Sequence, residues 1–219
     1  MKKIIPSFLT ILNLVCGCLA IALAFQFQFE AVLILVCLGV FFDFLDGLAA
    51  RALDAVTNFG KHLDSITDVI TSGVVPGIIV YQLFKLSGNK VSDFEVYAFG
   101  YDLIFSLSPI SFIGFLITIA SAIRLSKYNT LTRSDEFIGL PTPANAIFFA
   151  SLPVLINSDI LIDSKQIFLN NYFLIGSVIS SVILMNSPFR LFSFKVSFKD
   201  FQSKVYQILL ILISIPILI

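Results

Sequence analysis

The sequence predicts an all-α integral membrane protein, a polytopic bundle of transmembrane helices, and three observations support this. First, 58% of the 219 residues are hydrophobic and 13% are charged, whereas a soluble domain averages roughly 45–50% apolar and about 25% charged residues. Second, the mean hydropathy is +0.98. Third, the apolar residues form runs long enough to cross a bilayer. These observations exclude an ordinary soluble enzyme and a disordered chain.

Seven apolar stretches are candidates for membrane-spanning helices, since about 20 apolar residues cross the hydrocarbon core. They cover residues 4–25, 31–53, 63–86, 105–127, 142–157, 172–185 and 201–219. Lys2 and Lys3 precede the first stretch as they would in a signal peptide, but this stretch is longer than a signal core and further spans follow at once. Residues 94–108 are a candidate for one more interfacial or membrane helix.

The basic residues predict how the bundle is oriented. If the N-terminus is cytoplasmic and seven spans alternate, 11 of the 14 basic residues fall on the cytoplasmic side and 3 on the other. This asymmetry agrees with the positive-inside rule. We therefore predict a multi-pass protein of the cytoplasmic membrane. The equal numbers of basic and acidic residues, 14 of each, argue against nucleic acid as a partner.

Four aspartates interrupt the second and third apolar stretches. Asp43 and Asp46 are three residues apart, and Asp64 and Asp68 are four apart, so each pair lies on one face of its helix. An ionisable side chain inside the membrane costs at least about 2.5 kcal/mol and generally indicates function. Only a short polar connection separates the two stretches, so we expect the pairs to face each other at the cytoplasmic end of a helical hairpin.

The residues around these acids suit a phosphate-bearing ligand held by metal ions. Carboxylate oxygens without a Cys or His cluster favour hard cations, Mg²⁺ or Mn²⁺, and two such ions can promote phosphoryl transfer. Gly47, Ala50 and Gly60 leave room for a ligand, and Arg51 offers a forked donor to phosphate. Intramembrane carboxylates also line ion paths, so an ion or metal transporter is the alternative from another class.

Together these eight residues form the pattern D-x2-D-G-x2-A-R-x8-G-x3-D-x3-D across residues 43–68. This pattern resembles the signature of the CDP-alcohol phosphatidyltransferases. The resemblance implies a membrane enzyme with a six-helix transmembrane core, usually a homodimer, that moves a phosphatidyl group from a CDP-linked lipid to an alcohol and releases CMP. Residues 1–187 would form this core, and residues 188–219 a cytoplasmic loop with one additional C-terminal transmembrane helix.

The resemblance also implies roles for individual residues. Asp43, Asp46 and Asp64 match metal ligands, and Asp68 matches the last aspartate of the signature, which approaches the two metal ions and serves as general base. Other positions match contacts to the CDP-lipid. These are Ser7, Thr10, Gly47, Ala50, Arg51, Thr57 and Gly60. Ser7 stands where the family usually has Asn.

Further stretches resemble one branch of the family, the bacterial membrane-type phosphatidylserine synthases. They include residues 9–14, 42–47, 60–65, 72–76, 122–129 and 137–144. This similarity predicts CDP-diacylglycerol as donor and L-serine as acceptor, with the active site facing the cytoplasm. The alternative within the family is another alcohol: glycerol 3-phosphate, inositol or inositol phosphate. Arg124, Asn129 and Thr142 are candidate contacts to the acceptor.

Overall fold

The computed structural model describes residues 4–89, 92–98, 101–130, 137–157, 164–188 and 190–191. Its α-helices are α1 Ile4–Phe25, α2 Phe29–Ala52, α3 Asn58–Asp68, α4 Val75–Leu86, α5 Phe115–Thr130, α6 Thr142–Asn157, α7 Ser164–Phe168 and α8 Asn171–Asn186. A π-helical segment, Val69–Val74, joins α3 to α4, and a 3₁₀ turn, Pro109–Gly114, leads into α5.

The helical membrane bundle expected from the sequence is confirmed. Within the described residues, four helical segments are long and apolar enough to cross a membrane: Ile4–Phe25, Phe29–Ala52, Asn58–Leu86 and Pro109–Tyr128. α6 and α8 are shorter apolar helices. Six of the predicted spans thus correspond to helical segments of a multi-pass membrane protein. The seventh, residues 201–219, lies outside the described residues.

The connection between α4 and α5 differs from the expectation. Residues 94–108 were a candidate helix, but Ser92–Ala98 (β1) and Tyr101–Leu107 (β2) form an antiparallel hairpin. Polar and apolar residues alternate from Asp93 to Val96, which is the period of a strand. The fourth span therefore begins at Pro109 rather than at residue 105. A second short antiparallel pair joins β3, Phe137–Ile138, to β4, Arg190–Leu191.

α4 lies at the centre of the bundle and contacts α1, α5, α6 and α8. Nine of its twelve residues are buried, and Val80, Leu83 and Phe84 have no exposed surface. Glycines let α5 approach closely, because a Cβ atom at Gly77 would lie 2.6 Å from Thr118 Oγ1. Close approach at small residues stabilises helix pairs in membranes through van der Waals contact.

α1 and α2 pack against the π-helical segment at two further glycines, Gly17 and Gly39. A Cβ atom at Gly17 would lie 2.7 Å from Thr71 Oγ1, and one at Gly39 would lie 2.8 Å from Thr71 Cγ2. Thr71 is fully buried, and its hydroxyl donates to the backbone oxygen of Asn13 at 3.3 Å. The three segments are therefore in tight contact one turn after Asp68.

The outer surface of the bundle is apolar, as expected for a surface that lipid covers. On α1, Ile11, Val15 and Leu19 are exposed at a spacing of four residues, and on α2 Ile34 and Leu38 are exposed in the same way. This spacing places each set along one face of its helix.

Candidate active site

The four aspartates converge at the end of the bundle where α2 and α3 meet. Asp43, Asp64 and Asp68 each offer one carboxylate oxygen, and these oxygens lie within 4.8 Å of one another. Asp46 follows one turn later on α2 and is 6% exposed. The spacing of the acids predicted that the two pairs face each other, and the folded helices bring them together.

α1 supplies a hydrogen-bond donor to one acid of each pair. The Thr10 hydroxyl donates to Asp46 Oδ2 at 2.6 Å, and Asn13 Nδ2 donates to Asp68 Oδ1 at 3.4 Å. Thr10 and Asn13 are 3% and 1% exposed. They are three residues apart, so one face of α1 reaches both acid helices. The sequence assigned Thr10 to the CDP-lipid and gave Asn13 no role, although a polar amide in an apolar run was a signal.

The acid cluster suits a divalent cation. Asp64 Oδ1 is buried and has no hydrogen-bond partner among the described residues, which is costly unless another ligand supplies one. Carboxylates this close repel one another when ionised, and a cation removes that repulsion. Hard divalent cations prefer oxygen ligands of this kind. The donor set and its spacing therefore fit the metal site that the sequence predicts.

A cavity of about 180 Å³ adjoins the acids and is lined by Asp46 and Asp64. All residues matched to the CDP-lipid also line it. They are Ser7, Thr10, Gly47, Ala50, Arg51, Thr57 and Gly60. These residues come from the start of α1, the end of α2 and the turn into α3, so the fold brings together positions up to 53 residues apart in sequence.

Local hydrogen bonds shape the wall of this cavity. Thr57 is the N-cap of α3, and its hydroxyl accepts from the Gly60 N–H at 3.0 Å. Arg51 Nε donates to the Gly47 carbonyl at 2.9 Å, which holds the guanidinium against the wall. Lys61 also lines the cavity. The lining therefore combines cationic groups and a helix N-terminus, which favour phosphate, with carboxylates.

Arg124, a candidate acceptor contact, lines a second cavity of about 220 Å³ together with Lys127 and Tyr128. It is 6% exposed, and its guanidinium carbon lies 5.1 Å from the centre of the Tyr128 ring. Its Nη2 donates to the Gly139 carbonyl at 3.4 Å. The interactions of Arg124 therefore hold its guanidinium in place at this cavity.

Contacts between α5 and the π-helical segment show the level of Arg124 in the bundle. The Thr118 hydroxyl donates to the Gly73 carbonyl at 3.0 Å, and a Cβ atom at Gly73 would lie 3.1 Å from Ser121 Cβ. The two segments are antiparallel, so the next turn of α5, which carries Arg124, lies beside the residues before Gly73. Arg124 is therefore at about the depth of Asp68.

The other two acceptor candidates are less well placed by the structure. Thr142 is the first residue of α6 and is 2% exposed, but it lines neither of the two cavities. Asn129 belongs to α5, and its side chain lies outside the described part of the chain. The structure thus brings Arg124, but not Thr142, to an open site.

Comparison with known proteins agrees with this site. The family profile described as CDP-alcohol phosphatidyltransferase matches residues 3–183. The chain belongs to this family. The matched region includes all four aspartates and every residue that lines the first cavity, and enzymes of the family are generally dependent on a divalent metal. The transporter alternative finds no support in this match.

Several curated relatives are similar in sequence. The CDP-diacylglycerol–serine O-phosphatidyltransferase of Bacillus subtilis is 33% identical over 144 residues, which cover 64% of this chain and 69% of the relative. The protein of the same name from Methanocaldococcus jannaschii is 34% identical over 160 residues, 72% of this chain and 65% of the relative. The archaetidylserine synthase of Methanothermobacter thermautotrophicus is 34% identical over 150 residues, which cover 67% of this chain and 56% of the relative. The chain thus spans 56% to 69% of the length of these three relatives.

Proposed function

We propose that this protein transfers the phosphatidyl group of CDP-diacylglycerol to the hydroxyl of L-serine, which gives phosphatidylserine and CMP. The observation that carries the proposal is the cavity between α1, α2 and α3, because the carboxylates of Asp46 and Asp64 and the cations of Arg51 and Lys61 line it together. The names of the similar relatives favour serine as the acceptor over glycerol 3-phosphate, inositol or inositol phosphate.

The location of the cavity suits both halves of the donor lipid. CDP is charged and soluble, whereas the acyl chains are apolar, and the cavity lies at an end of the bundle whose sides are covered by exposed apolar residues. Gly47, Ala50 and Gly60 leave room for the nucleotide against the backbone, with Ser7, Thr10 and Thr57 as further contacts. Arg51 binds the diphosphate through its forked N–H groups.

The acids would hold two divalent cations, Mg²⁺ or Mn²⁺. Asp43, Asp64 and Asp68 are the ligands that the geometry favours, and Asp46 is adjacent to them. Bound there, the ions would supply charge neutralisation for the diphosphate and for the CMP leaving group.

Asp68 acts as general base in this proposal. The hydroxyl of serine is a poor nucleophile at neutral pH and needs a positioned base. Asp68 takes the hydroxyl proton while the serine oxygen forms a bond to the lipid-bearing phosphorus, and the bond from that phosphorus to the bridging oxygen breaks. CMP departs with the bridging oxygen. Arg124, at the depth of Asp68, binds the carboxylate of serine, with Asn129 as a further acceptor contact.

The proposal also includes the setting of the enzyme. Arg51, Lys61, Arg124 and Lys127 lie towards the same end of the bundle as the acids, which supports a cytoplasmic active site and N-terminus in the cytoplasmic membrane. The family resemblance supports a homodimer. The end of the family match at residue 183 supports a core of residues 1–187, followed by an appended segment, 188–219.

The test is an assay of CMP release by the detergent-solubilised protein, supplied with CDP-diacylglycerol and Mn²⁺. Serine, glycerol 3-phosphate, inositol and inositol phosphate are offered separately, and chelation of the metal serves as a control in each case. We expect CMP and phosphatidylserine with serine alone. Release of CMP only with another alcohol would contradict serine as acceptor, and no release with any alcohol would contradict the transferase proposal.

A further inference from the structure

Asn13 lies in an apolar stretch of α1, and packing alone does not account for its amide. The side chain is 1% exposed, and its Oδ1 has no hydrogen-bond partner among the described residues. A buried amide oxygen without a partner costs free energy that an apolar side chain of similar size avoids. The contact of Asn13 Nδ2 with Asp68 Oδ1, at 3.4 Å, is the interaction that the amide gains.

Gly39 on α2 provides the space for this amide. A Cβ atom at Gly39 would lie 2.9 Å from Asn13 Oδ1, which is closer than such atoms approach without displacement. The amide has one favourable orientation, because its reversal would place Oδ1 against the Asp68 carboxylate. The side chain is therefore confined between Gly39 and Asp68.

The backbone of Asn13 is also tied to the acid-bearing segment. The Thr71 hydroxyl donates to the Asn13 carbonyl at 3.3 Å, and Thr71 follows Asp68 by three residues in the π-helical segment. Asn13 thus contacts both sides of the junction between α3 and the π-helical segment. Its amide contacts Asp68 at the end of α3, and its carbonyl contacts Thr71 in the π-helical segment. The hydrogen bond from its amide restricts rotation of the Asp68 carboxyl group.

We propose that Asn13 is a positioning residue for Asp68 and that Gly39 keeps the space in which its amide lies. The inference rests on the proposed function, since it concerns the base of that reaction. A carboxyl that loses this donor still lies in the cluster but is less often oriented towards the serine hydroxyl. Loss of orientation lowers kcat more than it raises KM.

The test compares Asn13→Ala with two glycine substitutions. Gly39→Ala contacts both Thr71 and the Asn13 amide, whereas Gly17→Ala contacts Thr71 at a similar distance, 2.7 Å, and not the amide. Gly17→Ala is therefore a matched control for strain against Thr71 and for loss of the hydrogen bond from the Thr71 hydroxyl to the Asn13 carbonyl, with the amide itself untouched. For each variant kcat, KM for serine, melting temperature in detergent and Mn²⁺ affinity are measured.

We expect Asn13→Ala and Gly39→Ala to lower kcat about tenfold or more with little change in KM, and to weaken Mn²⁺ binding because Asp68 is less well held. Gly39→Ala in the Asn13→Ala background should lower kcat no further, because its effect acts through the amide. Gly17→Ala should lower the melting temperature as much as Gly39→Ala, with kcat within about threefold of the unmodified protein.

The outcomes separate this inference from the proposed function. If the unmodified protein is active and the Asn13→Ala variant has the same kcat and the same Mn²⁺ affinity, the positioning role alone is overturned. It is also overturned if the losses of kcat from Asn13→Ala and Gly39→Ala add in full in the double variant. An unmodified protein that releases no CMP with serine contradicts the proposed function. In that case Mn²⁺ binding still tests the inference, because equal Mn²⁺ affinities of the unmodified protein and the Asn13→Ala variant would overturn it.

Discussion

The two ends of the helical segment Asn58–Leu86 have opposite environments. In α3, Thr67 alone among eleven residues is buried, whereas nine of the twelve residues of α4 are buried. Both ends belong to one uninterrupted segment that is long enough to cross a membrane. The comparison shows that α4 anchors the segment in the bundle, and that α3 is thereby held in place with its two acids half-buried.

This separation has a physical cause in the sequence. α4 is mostly apolar and carries a glycine that admits α5, so nine of its twelve residues are buried among other helices. α3 carries polar residues and two acids that need water, a metal or a hydrogen-bond donor. Substitutions in α4 should therefore change stability, and substitutions in α3 should change chemistry.

The largest effect is expected from Asp68→Asn at the end of α3. CMP release should fall by about a thousandfold or more, since a positioned general base contributes roughly 10²–10⁴. The melting temperature should not fall, because the substitution removes a negative charge from a cluster of acids. Initial rates and thermal unfolding in detergent measure the two quantities. Near-normal turnover would show that another group takes the proton.

The next largest effect is expected from Phe84→Ala in α4. Phe84 is fully buried, and its loss should lower the free energy of unfolding by about 3 kcal/mol through the cavity it leaves. Specific activity of the folded protein should be unchanged. Leu86→Ala is the control, because Leu86 is 47% exposed on the same helix. Equal losses from both variants would contradict the assignment of α4 as the anchor.

A smaller effect is expected at the end of α5, which extends the comparison to a second helix. Arg124→Gln should raise KM for serine about tenfold. This is the effect expected at the lower end of the free energy lost with a hydrogen bond to a charged group, about 1.5 kcal/mol. The control is Lys127→Gln, which changes another cation lining the same cavity. Steady-state kinetics with serine varied at saturating CDP-diacylglycerol provide the measurement. A change in KM for the donor alone would assign Arg124 to the other substrate.

The smallest effect is expected where α4 ends. Asn89 Nδ2 donates to Asn171 Oδ1 at 2.9 Å, and Asn171 Nδ2 donates to Asn89 Oδ1 at 2.6 Å. Asn89→Ala should lower the free energy of unfolding by about 1 kcal/mol without changing turnover. Asn171→Ala should do the same, and the double variant should lose little more, because the two amides bond to each other. Fully additive losses would refute this pairing.

The sequence predicted the parts of the molecule that depend on local periodicity. The bounds of α1 agree with the predicted span at both ends, and the spacing of the aspartates predicted their common faces. The seven residues matched to the CDP-lipid all line the first cavity, because the resemblance covers the start of α1 as well as the aspartate pattern. Ala55, Val56 and Lys61 also line it and were not predicted.

The parts that sequence did not predict depend on contacts between helices. The bond from Thr10 to Asp46 and the space that Gly39 leaves for Asn13 depend on how α1 crosses α2. The periodicity of a single helix does not predict the crossing angle between two helices. The hairpin of β1 and β2 was missed because a short apolar run fits a helix or a strand. Thr142 belongs to a resembling stretch, residues 137–144, yet it lines neither the cavity beside the acids nor the cavity beside Arg124.

The π-helical segment Val69–Val74 also determines which changes in chain length this fold tolerates. A π turn corresponds to one residue more than an α-helical turn, and each residue of an α-helix rotates the chain by about 100°. Deletion of one residue here would therefore convert the π turn to an α-helical turn, and Asp64 and Asp68 would stay close to their present phase relative to α4. The same deletion within α4 would instead rotate the residues before it by roughly a quarter turn relative to those after it. The π-helical segment is thus the place in Asn58–Leu86 where the loss of one residue is tolerated best.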